Sequence, residues 1–190
     1  MEELKQRILS EGVAHDGGVL IVDTFLNHQI DPGLSERMGD EIAARYQDAG
    51  ITKVLTVEAS GIAVAVMVAR ALDVPVVFAK KAKNITQTGE ILTAEIYSFT
   101  KKQSTLITVS KKFISPDETV LIVDDFLAHG EALRGLCEIV KATGANLAGV
   151  GIVIEKVFQG GGEKLRNEGL RIESLAKISS MAEGHIEFAE

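Results

Sequence analysis

The stretch Val120–Ala132 reads VLIVDDFLAHGEA. Its apolar run, Val120 to Val123, gives way to two carboxylates, Asp124 and Asp125, and a short loop then leads through Gly130 into a helical pattern. That order predicts a buried strand, a turn and a helix start. In an open parallel sheet the ligand site lies beyond the carboxyl ends of the strands, where a helix N-terminus offers free N–H groups and partial positive charge to an anion. Carboxylates can accept from sugar hydroxyls while loop amides hold a phosphate, so the stretch suits a phosphorylated sugar. Two aspartates capping a strand and a helix would read the same way without any ligand.

Upstream of this motif the chain alternates strand and helix signals. Met1–Glu11 puts Leu4, Ile8 and Leu9 on one stripe of a short amphipathic helix, and Val19–Val22 predicts a strand. Asp31-Pro32 is an N-cap followed by proline, and the helix it opens is expected to reach Ala49 and stop at Gly50, with Leu34, Met38, Ile42 and Tyr46 facing the core. Lys53–Val57 predicts a strand, and GIAVAVMVARALDV, from Gly61 to Val74, a helix apolar all round and therefore buried. Between them Glu58-Ala59-Ser60-Gly61 is a turn of mostly small residues, which lets backbone amides approach an anion closely but is common in any strand-to-helix connection. After a strand at Val74–Phe78, the long polar stretch Ala79–Ser104 suggests a projecting hairpin with Gly89 near its tip, and Lys80, Lys81 and Lys83 at its root. Thr105–Val109 is expected as a separate strand.

Downstream, Leu133, Leu136, Cys137 and Val140 share one helical face, which predicts Cys137 as a small core residue. Gly149–Ile154 predicts a strand ending at Glu155-Lys156, and a lysine there can donate to a ligand. Gly160–Gly162 reads as a loop without the spacing of a dinucleotide fingerprint, and Ile172–Ala176 as a last edge strand. The histidines are scattered, so His129 on the motif loop has no metal-ligand companion in sequence.

Composition sets the frame. The 190 residues are expected to form one domain with a sizeable core, with 46% hydrophobic and 25% charged residues arguing against disorder. A formal charge of −7 argues against nonspecific nucleic-acid binding, while an anionic small ligand needs only local positive groups. The single cysteine excludes an internal disulfide and fits a reducing compartment. With no apolar leader and no run long enough to span a bilayer, the expectation is a cytoplasmic protein without membrane contact.

The acidic pair and its loop resemble the phosphoribosyl pyrophosphate (PRPP) motif of the type I phosphoribosyltransferases. The likeness extends from the N-terminus through GVLIVDTFLNHQIDPGL to IVIEKVFQGGGEKL. Many members close the loop with a Thr-Gly-Gly-Thr type sequence; here His129, Gly130, Glu131 and Ala132 stand instead, without the two hydroxyls and with an added carboxylate. The resemblance implies an α/β fold with a central parallel sheet flanked by helices, a small hood formed by about residues 1–35 plus C-terminal segments, and a flexible loop over 79–104. It implies catalytic roles for Asp124, Asp125 and Lys81, and PRPP contacts from Ala128, His129, Gly130, Glu131 and Ala132 and from the pyrophosphate turn at Ala59 and Ser60. The purine members place the base against positions that fall here on Leu20, Asn27 and Lys156. A lysine facing the 6-oxo group, with Asn27 reading the 2-oxo side, favours xanthine as acceptor; the resemblance further implies Mg²⁺ carried as the PRPP complex with no dedicated metal ligands, and a homodimer. Transfer to adenine or to hypoxanthine and guanine, and a noncatalytic PRPP-sensing regulator, stay open as alternatives.

Overall fold

The computed structural model describes residues 1–15, 17–81, 90–98 and 103–189. The chain forms α1 (Glu2–Glu11), β1 (Val13–His15), β2 (Val19–Ile21), α2 (Pro32–Arg45), β3 (Lys53–Val57), α3 (Gly61–Leu72), β4 (Val76–Ala79), β5 (Ile91–Ser98), β6 (Gln103–Ser110), β7 (Thr119–Leu127), α4 (Glu131–Thr143), β8 (Asn146–Lys156), α5 (Gly161–Asn167), β9 (Ile172–Ser180) and β10 (Glu187–Phe188). The main sheet has the order β10-β9-β8-β7-β3-β4, with every pair parallel except β9 and β10.

Strand alternation in β7 divides the interior between the two faces of this sheet. Leu121 and Val123 point to one side, into a core shared with α1, α2 and α3; Val120 and Ile122 point to the other, against α4 and the β5–β6 hairpin. All four are fully buried, and truncating such a residue to alanine costs about 2–5 kcal/mol. From β3 the chain crosses by α3 to β4 on one side, and from β7 by α4 to β8 on the other. The order of strands therefore reverses between β3 and β7, which opens a crevice at their carboxyl ends.

Several local expectations are corrected. β7 does not end before the acids: its pairing with β8 continues through Asp124↔Ile152 to Leu127↔Glu155, so both aspartates sit within the strand. Helix α2 ends at Arg45, because Tyr46 turns its hydroxyl onto the Val150 carbonyl at 2.9 Å and leaves helical geometry. Helix α3 is not buried all round; Val66 is 45% exposed on its outer side. Leu9 is likewise exposed, while Leu4 and Ile8 are fully buried. Thr105–Val109 belongs to the hairpin, paired with β5 from Ile91↔Ser110 to Ser98↔Gln103. The expected tip, Gly89, and Lys83 lie outside the described residues. Gly161 and Gly162 begin a helix, α5, after Gly160. β9 is longer than expected and interior, since β10 pairs along its outer side. Cys137 is only half-buried, and desolvation pushes its thiol up to about 11.

Candidate active site

The site is built where β3, β7 and β8 end together. Asp124, 5% exposed, lies beneath the first turn of α3: a Cβ on Gly61 would sit 2.6 Å from Asp124 Oδ1 and 2.5 Å from Thr56 Oγ1, so only glycine admits the helix here. The buried Thr56 hydroxyl has no hydrogen-bond partner among the described residues. Asp124 Oδ1 accepts from the Asp125 amide at 3.0 Å. Burial, and then the neighbouring Asp125 charge, hold the Asp124 carboxyl well above the usual range; burial also raises Asp125, and Lys81 draws both back down. A buried like-charged pair of this kind costs stability and is relieved by anything that donates hydrogen bonds or positive charge to it.

After Leu127 the chain bends through Ala128 and His129 to Gly130, whose φ of 87° is left-handed and suits glycine, and α4 starts at Glu131. The bend and the first turn of α4, with Phe126, Leu127 and Tyr97 of the hairpin, line a cavity of about 160 Å³. His129 and Glu131 also line a second, polar hollow with Gln159, Gly160, Gly161 and Lys164. The N–H groups of the first turn of a 13-residue helix have no intrahelical acceptors and favour an anion.

Across the crevice, Ala59 and Ser60 line a hollow of about 350 Å³ together with Asn27, Leu26, Ile30 and Ile62. Glu58 accepts from the Lys81 amide at 2.5 Å, which ties the root of the polar stretch to this turn. Asn27 closes the single π-helical turn Asp23–Asn27 and donates to Asp125 Oδ2 at 3.5 Å. Lys156, the last residue of β8, donates to the Gly18 carbonyl at 2.8 Å and lies 5.2 Å from the Phe126 ring. Burial lowers its pKa, partly offset by Asp125. Leu20 is buried in β2, its side chain turned toward Gly12 within the core.

Asn27 thus bridges the N-terminal segment to the acidic pair and shares a hollow with Ala59 and Ser60, whereas the Leu20 side chain faces the core. Over residues 32–186 the sequence matches the phosphoribosyl transferase domain. The chain belongs to the phosphoribosyltransferase family. It is 63% identical over 189 residues to a protein of Heliobacterium modesticaldum named xanthine phosphoribosyltransferase, covering 100% of both chains. It is 53% identical over 190 residues to a protein of the same name from Oceanobacillus iheyensis, covering 100% of this chain and 98% of the relative. Its fold is similar to that of adenine phosphoribosyltransferase from Thermoanaerobacter pseudethanolicus (TM-score 0.76, 20% identity, 92% and 99% of the two chains). The Giardia lamblia enzyme solved with 9-deazaadenine is similar too (TM-score 0.78, 23% identity, 92% and 97%). The type I phosphoribosyltransferase fold anticipated from the acidic motif is the fold observed.

Three residues lining this region, Thr56, Phe126 and Tyr97, are not singled out by the sequence. Thr56 precedes the turn that begins at Glu58, and a polar residue within an otherwise apolar strand was the available signal for it. Phe126 directly follows the acidic pair. Tyr97 comes from the hairpin, and nothing local links it to a cavity whose other lining residues start at Phe126. Among the described residues no group of three or more His, Cys, Asp or Glu side chains is placed to hold a metal, and no helix is long and apolar enough to cross a membrane.

Proposed function

We propose that this protein transfers the phosphoribosyl group of PRPP to xanthine, giving xanthosine monophosphate and pyrophosphate, as the names of its full-length relatives indicate. The observation that carries the reading is the 3.5 Å contact between Asn27 and Asp125, which sets a purine-reading amide beside the carboxylates that suit a ribose. In this reading Asp124 and Asp125 accept from the ribose hydroxyls, Ala128, His129, Gly130, Glu131 and Ala132 cradle the terminal phosphate, and Ala59 and Ser60 receive the pyrophosphate. Lys81, held at that turn through Glu58, stabilises the leaving pyrophosphate.

The base nitrogen displaces pyrophosphate at the anomeric carbon: the new C–N bond forms as the C–O bond breaks, the electron pair leaves on the pyrophosphate, and the N–H proton of the base passes to that departing pyrophosphate. No protein nucleophile is required, so the residues work by positioning, charge stabilisation and exclusion of water. Lys156 offers only donors, which match the 6-oxo group of xanthine and oppose the amino group of adenine. A site of matched hydrogen bonds can reject the mismatched base by about 10⁴-fold. Asn27 reads the 2-oxo side, and Leu20 contributes through its backbone.

The oxygen donor set fits Mg²⁺ carried by PRPP: two carboxylates are too few for a dedicated cage but suit a cation already held by substrate phosphates. Asp124 and Asp125 would hold it together with PRPP, and its charge would help neutralise the departing pyrophosphate. We read residues 1–190 as one phosphoribosyltransferase unit, with residues 1–35 and C-terminal segments as hood; of the expected loop 79–104, residues 91–98 and 103–104 belong to the β5–β6 hairpin packed on α4, which leaves Lys80 and Lys81 at its root as the described part that can face pyrophosphate. A cytoplasmic setting fits the single cysteine. A homodimer would give a partner to the exposed apolar residues Val66, Phe78 and Phe113. The test is to supply Mg²⁺ and PRPP with xanthine, guanine, hypoxanthine or adenine in turn and follow nucleotide formation. Xanthine is expected to be preferred; preference for another purine would overturn the base assignment.

A further inference from the structure

One buried charge in this fold has no place in the reaction above. Glu155, the penultimate residue of β8, is 1% exposed, and its carboxylate accepts from Arg166 Nη1 at 2.6 Å, Arg166 Nη2 at 2.7 Å and Ser174 Oγ at 2.5 Å. Arg166 belongs to α5 and also donates to the Ile172 carbonyl at 3.3 Å, while Ser174 is in β9. The carboxylate thus fastens α5 to the ends of two core strands. At its other end α5 is pressed against the phosphate loop. The Gly161 amide donates to the Ala128 carbonyl at 3.1 Å, and a Cβ on Gly161 would collide with Ala128 and His129 backbone atoms. A Cβ on Gly130 would lie 2.9 Å from Leu165 Cδ1 of α5, and one on Gly162 would collide with the Glu155 carboxylate itself. At Gly161 and Gly162 the helix backbone itself meets the loop and the carboxylate with no room for a Cβ, so a shift of α5 is passed directly to residues 128–130.

Lys156 is the next residue, and strand alternation sends it the opposite way, to the Gly18 carbonyl and the Phe126 ring. We infer that Glu155 is a positioning residue for the phosphate end of the site: through Arg166 and α5 it fixes the loop that holds the terminal phosphate of PRPP, while its neighbour Lys156 serves the base independently. The inference rests on the function proposed above and adds to it which buried group sets the shape of the phosphate loop.

The experiment compares wild-type protein with Glu155→Gln and Ser174→Ala, measuring KM for PRPP and for xanthine separately, with a thermal melt on each. Glu155→Gln keeps the side chain's shape and weakens the charged grip on Arg166; it is expected to raise KM for PRPP by about tenfold and to leave KM for xanthine within about twofold. Ser174→Ala removes one donor, is expected to give the same split at smaller size, and decides the matter if Glu155→Gln does not fold. A purely structural carboxylate predicts a lower melting temperature with both KM values unchanged or moved together, and that outcome, in whichever variant folds, overturns the inference. Failure of the wild-type protein to form xanthosine monophosphate would instead count against the proposed function, so the two failures are distinct.

Discussion

Asp124 and Glu155 are buried carboxylates near the ends of adjacent parallel strands, and they are treated in opposite ways. Burial would raise Glu155, but hydrogen bonds from Arg166 and Ser174 more than offset it and hold the carboxyl below its ordinary value. Asp124 faces a second carboxylate, receives one amide hydrogen bond from within the described residues, and is held above its ordinary value. The contrast separates scaffold from site. A carboxylate whose charge is already matched can fix a helix; one whose charge is left unmatched keeps its acceptors open for a ligand, at a cost to the free protein.

The largest expected effect on stability comes from breaking the matched side. Arg166→Ala leaves Glu155 buried without its cation and is expected to destabilise the fold by about 2–4 kcal/mol in urea denaturation, toward the lower end because the Arg166 side chain is 33% exposed. Relieving the unmatched side has a smaller effect of the opposite sign. Asp124→Asn, which removes one of two repelling charges and keeps an oxygen for the Asp125 amide, is expected to stabilise the ligand-free protein by about 1 kcal/mol near neutral pH. The sign of its pH dependence follows from linkage. Because the folded carboxyl holds its proton above the ordinary value of 3.8, the wild-type protein loses stability as pH rises from there through the raised value. The gain from Asp124→Asn should therefore grow over that interval and vanish below it, which melting curves at a series of pH values would check. Glu155 behaves inversely: its contribution is present above its ordinary value of 4.5 and is lost as pH falls through the lowered one.

Much of this architecture was legible in the residues. Apolar strands interleaved with capped helices gave the parallel sheet, and the acid-rich strand end with its glycine loop marked the crevice. The acids' enclosure within β7 was not legible, because strand pairing with β8 overrides the local polarity of Asp124 and Asp125. Thr105–Val109 could not be assigned to a hairpin from alternation alone, since its partner strand lies across residues whose pattern is polar. Gly160–Gly162 read as a loop because glycine is a poor helix former; packing decided otherwise, as α5 can approach the phosphate loop and the Glu155 carboxylate only without side chains there. The positions of Asn27 and Lys156 near the acids depend on long-range folding of the N-terminal segment, and there the family resemblance supplied what spacing could not.

The most direct measurement on the central claim, that the unmatched carboxylates are the ribose-binding groups, is a thermal melt of wild-type protein and of the Asp124→Asn, Asp125→Asn double variant, each with and without Mg²⁺ and PRPP. A ligand that binds only the native state raises its melting temperature with concentration. The wild-type protein is expected to shift upward with PRPP, and the double variant, though at least as stable alone, to show no shift. An equal shift in both proteins would contradict the assignment of Asp124 and Asp125 to the substrate.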